Sequence, residues 1–239
     1  MFEYAEKILP KKYKALWNDY CLFLQLGQNH FASDEWSATV KKQQISLLER
    51  AIRKDFPLAG TLLYRLQKAF VAENLSLYLL LEPLQAWHWL IAAKMPDTEA
   101  QISEIVMRLS APAARMLMVL NNENPSTYLP MTSLLSAQYL FEALEYKDEL
   151  LRHIRKPHRF WMRKLTGLVK NAAVLLSVVK SKRLKFRLAL ELNTIICKID
   201  RAQNNKQSEL ERLDRIKIFL YSVYQLVTIR RKTTGTKEI

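Results

Sequence analysis

The chain has 239 residues, 49% of them apolar and 10% aromatic, enough to bury a sizeable core. Its formal charge of +14 favours polyanionic partners: anionic lipid, phosphorylated ligands or nucleic acid. Only 4 glycines leave little of the turn punctuation of a β-rich protein, and Cys21 and Cys197 lack metal-ligand spacing, which suits free thiols in a reducing compartment.

The opening MFEYAEKILPKKYK carries early acids and no apolar h-region, so no secretory signal is expected there. Pro10 leads into a helix over Lys11–Phe31, with Ala15, Leu16, Tyr20, Phe23, Leu24 and Phe31 on one face. Between Asp19 and Asp34 this helix holds no acid. Ser33-Asp34-Glu35 reads as a cap with first-turn acids for a second helix to about Lys54. A third helix is expected over Leu58–Ala72, after Pro57.

Asn74 is expected to cap the next segment, Leu75–Ala93, which is long enough on paper to cross a bilayer. It holds Glu82, Pro83, Gln85 and His88, and a carboxylate mid-bilayer costs about 3 kcal/mol on insertion scales. It therefore reads as buried helix, kinked or divided at Pro83. Helices over Glu99–Leu109 and Ala113–Leu120 follow, separated near Pro112, and Asn121–Pro130 is the clearest loop. A long helix spans Met131–Ile154. Beyond Pro157, a helix weakly interrupted at Gly167 runs to Val179, then Lys182–Arg201, a linker at Asn204–Ser208, and a last helix over Leu210–Arg231. The expectation is one all-α domain over residues 1–231 and a disordered basic tail at 232–239.

Glu142, Glu145 and Glu149 recur at i, i+3 and i+7, with Asp148 beside them, forming one acidic face. Such a face is either half of a metal site or a solvated surface paired with Lys and Arg. The histidines (His30, His88, His153, His158) make no HxxxH or HExxH pair, and no glycine-rich phosphate loop occurs. Arg152, Arg155, Lys156, Arg159 and Arg163 are interleaved with Phe160 and Trp161. That pattern fits an anionic lipid or phosphate surface; no RNA-binding module accompanies it, so nucleic acid is the less favoured partner. Trp87, Trp89 and Tyr78 either line an apolar cavity or fill plain core.

Three ordered stretches resemble the squalene/phytoene synthase family, the head-to-head prenyl-diphosphate synthases, in its bacterial hopanoid-pathway-like branch. They are Leu9-Pro10-Lys11 leading to Ala15 and Tyr20; Leu81–Ala93 with Ser110-Ala111-Pro112 and Arg115; and Arg183–Asp200. The resemblance implies an all-α isoprenoid-synthase fold around a central apolar cavity. It also implies two Asp-rich motifs on facing helices that hold Mg²⁺ against a leaving diphosphate.

The chain departs from that pattern where the metals would bind. Matching Tyr20 to the family tyrosine puts the first Asp pair at Gly27 and Gln28, and the third Asp near Phe31; the alternative register puts His30 and Phe31 at the pair. In the second motif, within Ala137–Leu150, the Asn falls on Glu142 and the first Asp on Tyr146. The resemblance thus implies a degenerate member without catalytic residues, metal or cofactor. Its residual motif or pocket would comprise Tyr20, Gln28, His30, Gln138, Glu142, Glu145, Asp148 and Glu149. The expected partners are an isoprenoid or lipid ligand, an anionic membrane surface or a protein, in the cytoplasm or peripherally at the inner membrane. The alternatives are an active prenyltransferase of the squalene or hydroxysqualene type, using Mg²⁺ on diverged ligands to condense farnesyl diphosphate, and a basic helical nucleic-acid-binding protein.

Overall fold

The computed structural model describes residues 7–33, 35–53, 60–92, 99–124, 127–146, 158–204 and 210–234, and no strand occurs among them. A 3₁₀ turn at Lys11–Tyr13 leads into α1 (Lys14–Ala32). The chain continues through α2 (Ala38–Arg53), α3 (Leu62–Ala72), α4 (Tyr78–Ala92), α5 (Glu99–Leu120) and α6 (Tyr128–Tyr146). It ends with α7 (His158–Ala172), the short α8 (Leu175–Val178), α9 (Lys182–Gln203) and α10 (Arg212–Thr234). α1 packs on α3 and α4, α4 on α2 and α5, α5 on α6, α6 on α7, and α9 on α7 and α10.

Local chemistry shifts several expected boundaries. Ser33 does not cap α2; its hydroxyl accepts from the Glu35 N–H, and the Ser37 hydroxyl accepts from the Val40 N–H at the true start. Thr61 caps α3 through the Tyr64 N–H. Asn74 closes α3 instead of opening α4: it adopts φ 51°, and the Leu75 N–H reaches back to the Phe70 carbonyl at 2.8 Å. Asn122, at φ 56°, ends α5 in the same way. α6 begins at Tyr128, so Pro130 sits in its first turn, where a missing N–H is harmless. Gly167 lies within α7, and the break falls after Ala172.

Pro83 and Pro112 lie inside continuous helices, correcting the expected divisions. For Pro83 the reason is visible. Proline has no N–H for the carbonyl four residues back, and the hydroxyl of the fully buried Tyr20 donates to that carbonyl, Leu79 O, at 2.9 Å. α1 thereby satisfies the group that Pro83 orphans in α4.

Two further ties set the helices around the core. Glu82 on α4, its side chain 10% exposed, pairs with Arg115 on α5, whose guanidinium lies 4.1 Å from the centre of the Tyr128 ring. Burial pushes the Glu82 carboxyl up against the lowering effect of Arg115. Glu123, buried after α5, accepts the N–H groups of Lys180 and Ser181 at 3.0 and 2.9 Å, fixing the start of α9. No helix among the described residues is long and apolar enough to cross a membrane.

Tyr20→Phe is expected to lower stability by about 1–2 kcal/mol, because it leaves the buried Leu79 carbonyl without a donor. In a Pro83→Ala background the helix supplies its own N–H, and the loss on Tyr20→Phe should shrink. Urea unfolding of the four variants in this double-mutant cycle measures both.

Candidate functional site

The middle of α1 carries a notch at Gly27. Trp87 of α4, 1% exposed, seats its indole there, and a Cβ at Gly27 would overlap the ring carbons. Phe23 and Phe31, one turn to either side of the notch, flank the indole with ring centroids 5.2 and 5.3 Å away. A mid-helix glycine costs about 1 kcal/mol relative to alanine; here the missing side chain makes room for an aromatic one.

Beside this cluster lies an apolar groove of about 510 Å³, walled by α1, α2, α3 and α4. Phe31, Trp87, Leu48 and Leu62 form part of its wall, and Leu26 and Leu47, 53% and 61% exposed, stand at its open side. Its polar groups are His30 and Gln44, which hydrogen-bond to each other through His30 Nε2 and Gln44 Oε1. The walls therefore offer mostly carbon contact, which suits a hydrocarbon chain.

One residue further along α1, the buried Gln28 crosses to α6 and donates to the Tyr139 hydroxyl at 2.5 Å. The two helices that the resemblance implies as facing walls do meet, but through a neutral amide and a phenol. The carbonyl oxygens of Gln28 and of the equally buried Gln138 have no hydrogen-bond partner among the described residues.

Gln138 and Glu142 of α6 line a second, small cavity of about 20 Å³ with Glu191, Thr194 and Lys198 of α9. This is roughly the room of one water. Glu191 is 8% exposed, and burial pushes its carboxyl up from the ordinary glutamate range, opposed by Lys7 and Lys198. Glu142 is half-buried, not on a fully solvated face.

The candidate residues are thus distributed over separate places. Tyr20 serves the α4 backbone, His30 the groove, Gln28 the α1–α6 contact, and Gln138 and Glu142 the small cavity. The side chain of Glu145 and all of Asp148 and Glu149 lie outside the described residues, as do Arg152, Arg155, Lys156 and the side chain of Arg159. Arg163 is exposed on α7. Tyr139 and Glu191 were not singled out by sequence reasoning. Glu191 did leave a signal: a lone acid between Leu190 and Leu192.

The described donors do not fit the Mg²⁺ cluster that the fold family implies. A hard divalent cation holding diphosphate needs several anionic oxygens, whereas the α1 wall offers Gly27, closed by an indole, and Gln28, already engaged. No group of three His, Cys, Asp or Glu residues able to hold a metal occurs among the described residues.

No protein-family model matches the chain, and no curated protein matches its sequence. Among solved structures it is similar to a dehydrosqualene synthase crystallised in complex with ligand, at a TM-score of 0.67 and 11% identity. The match covers 94% of this chain and 90% of that one. The chain has the all-α isoprenoid-synthase-type fold.

Gly27→Ala is expected to destabilise by about 1–3 kcal/mol through overpacking against Trp87, in spite of the gain in helix propensity. Chemical unfolding followed by tryptophan fluorescence reads it. Glu191 yields a second expectation. Because its folded-state pKa is raised, its ionisation costs stability as pH rises through that value. Glu191→Gln should therefore be more stable than the natural chain at neutral pH. The difference should vanish as the pH drops below the ordinary glutamate range, which urea unfolding at about pH 7 and at about pH 3 compares.

Proposed function

We propose that this protein is a squalene/phytoene-synthase-like relative that has lost Mg²⁺–diphosphate chemistry and binds an isoprenoid or similar apolar chain at a membrane surface. The observation that carries the reading is the Gly27 notch. On the Tyr20 register, the positions of the first Asp pair hold a glycine covered by Trp87 and a glutamine committed to Tyr139. A substrate diphosphate carries several negative charges, and this wall offers it neither a cation nor a carboxylate to hold one. The hydrocarbon half of such a substrate meets better conditions: the groove beside Trp87 is aromatic and aliphatic, with one histidine–glutamine pair for a polar end group. The similar dehydrosqualene synthase structure supports the fold in which such a chain would be held.

The competing reading, an active prenyltransferase with diverged ligands, draws on one feature. Glu142 and Glu191 reach the same small cavity from two helices, with Lys198 beside them.

Calorimetry with farnesol and with farnesyl diphosphate, each with and without Mg²⁺, separates the two. The proposal expects farnesol to bind, Mg²⁺ to make no difference, and neither pyrophosphate nor a condensation product to form. Leu47→Asp, at the exposed lip of the groove, should weaken farnesol binding by about tenfold or more, equivalent to about 1.4 kcal/mol. Mg²⁺-dependent release of pyrophosphate that disappears in Glu142→Ala or Asp148→Ala would overturn the proposal in favour of the enzyme.

A further inference from the structure

The last helix is built inside out. Its inner face against α9 is largely polar: Asn193 donates to the hydroxyl of the fully buried Ser222 at 2.8 Å and to the Gln225 carbonyl oxygen at 3.1 Å, and Ile218 is the apolar anchor beside them. The outer face carries Leu213, Ile216, Leu220 and Tyr224, each between 49% and 66% exposed, while Phe219 lies to one side with its ring edge-on to Phe186 of α9. Leu213, Ile216, Leu220 and Tyr224 recur at steps of three and four, so they form one stripe about 16 Å long. A soluble helix normally does the opposite, and a contiguous apolar face of this size marks an interaction surface.

The charge around the stripe indicates what covers it. Arg212, Arg215 and Lys217 are exposed on the same helix, and the sequence continues through Arg230, Arg231 and Lys232 in its last turns. The nearby acids Glu211 and Asp214 are both engaged by the Arg201 guanidinium. A second copy laid in parallel along this face would set Arg212, Arg215 and Lys217 against their own counterparts. An anionic bilayer surface reverses that sign. Leucine and isoleucine enter the acyl boundary, Tyr224 suits the headgroup level, and the cations meet lipid phosphates. With no described helix able to cross a membrane, the helix would lie in the interface plane.

We infer that the outer face of α10 is the membrane-docking surface of this protein, taking an anionic lipid bilayer. The inference deepens the membrane part of the proposed function and does not depend on the groove holding a ligand. It places docking on α10, not on the basic stretch around Arg163.

Vesicle co-sedimentation of the full chain tests it. The vesicles are phosphatidylcholine, with or without about a third phosphatidylglycerol, and circular dichroism checks the fold of every variant. The natural chain should bind the anionic vesicles and not the neutral ones. Leu220→Ser combined with Tyr224→Ser should weaken that binding by about tenfold or more, with helix content unchanged, and Arg212→Gln with Arg215→Gln and Lys217→Gln should do likewise at moderate salt. Anionic-vesicle binding that survives both sets but is lost on Arg163→Gln would overturn the α10 assignment while leaving membrane association standing. No binding to either vesicle would overturn both. A self-association in sedimentation velocity that the Leu220→Ser/Tyr224→Ser variant abolishes would assign the face to a second copy and overturn the inference.

Discussion

The contact between α1 and α4 governs both the integrity of the fold and the character of its site. Tyr20 supplies the hydrogen bond that Pro83 withholds from Leu79, and seven residues later Gly27 admits the Trp87 indole to the body of α1. A proline inside a helix costs about 3 kcal/mol where nothing compensates it. Compensation from a neighbouring helix ties the two together, since α4 keeps its satisfied backbone only while α1 stays in register with it. That same register brings Phe23 and Phe31 to either side of Trp87 and shapes one wall of the groove.

This packing has a consequence for charge. Carboxylates facing one another across an apolar interior are stable only when a cation neutralises them, and a buried unpaired charge costs several kcal/mol. The described α1 wall avoids the problem by carrying no acid between Asp19 and the end of the helix, and Asp19 itself is held on the surface by Arg65 at 2.9 Å. Gln28 and Tyr139 keep the helix–helix contact polar but neutral. Between Phe23 and Phe31 the described α1 wall is thus apolar and aromatic, and its contact with α6 is made by uncharged groups.

The positive charge of the chain is not spread evenly against its apolar surface. Near the start of α10 the acids are drawn onto Arg201, and the cations stand beside exposed leucine and tyrosine. An apolar stripe within a basic rim is the arrangement expected of a surface helix that meets a lipid interface, where hydrophobic and Coulombic attraction act in the same direction.

The sequence by itself determined that the chain is helical, that the apolar run carrying Glu82, Pro83 and His88 forms a helix not long and apolar enough to cross a membrane, and that α1 lacks the acids of the pattern it resembles. Periodicity, the scarcity of glycine and the residue types present suffice for those statements. Ends and breaks were less legible. Pro83 and Pro112 read as divisions and proved internal, and for Pro83 the compensating donor to Leu79 comes from Tyr20, fifty-nine residues before that acceptor along the chain. Asn74 read as a cap for the wrong helix because asparagine serves either end, and only its positive φ decides. The site was partly legible: Gln28, His30, Gln138 and Glu142 were named, but which of them share a cavity follows from helix packing alone. Gly27 looked like a lost aspartate position; only the tertiary structure reveals that it is occupied, by an indole from α4. The inverted polarity of α10 was equally hidden, because a helix apolar on several faces does not disclose which one its neighbour covers.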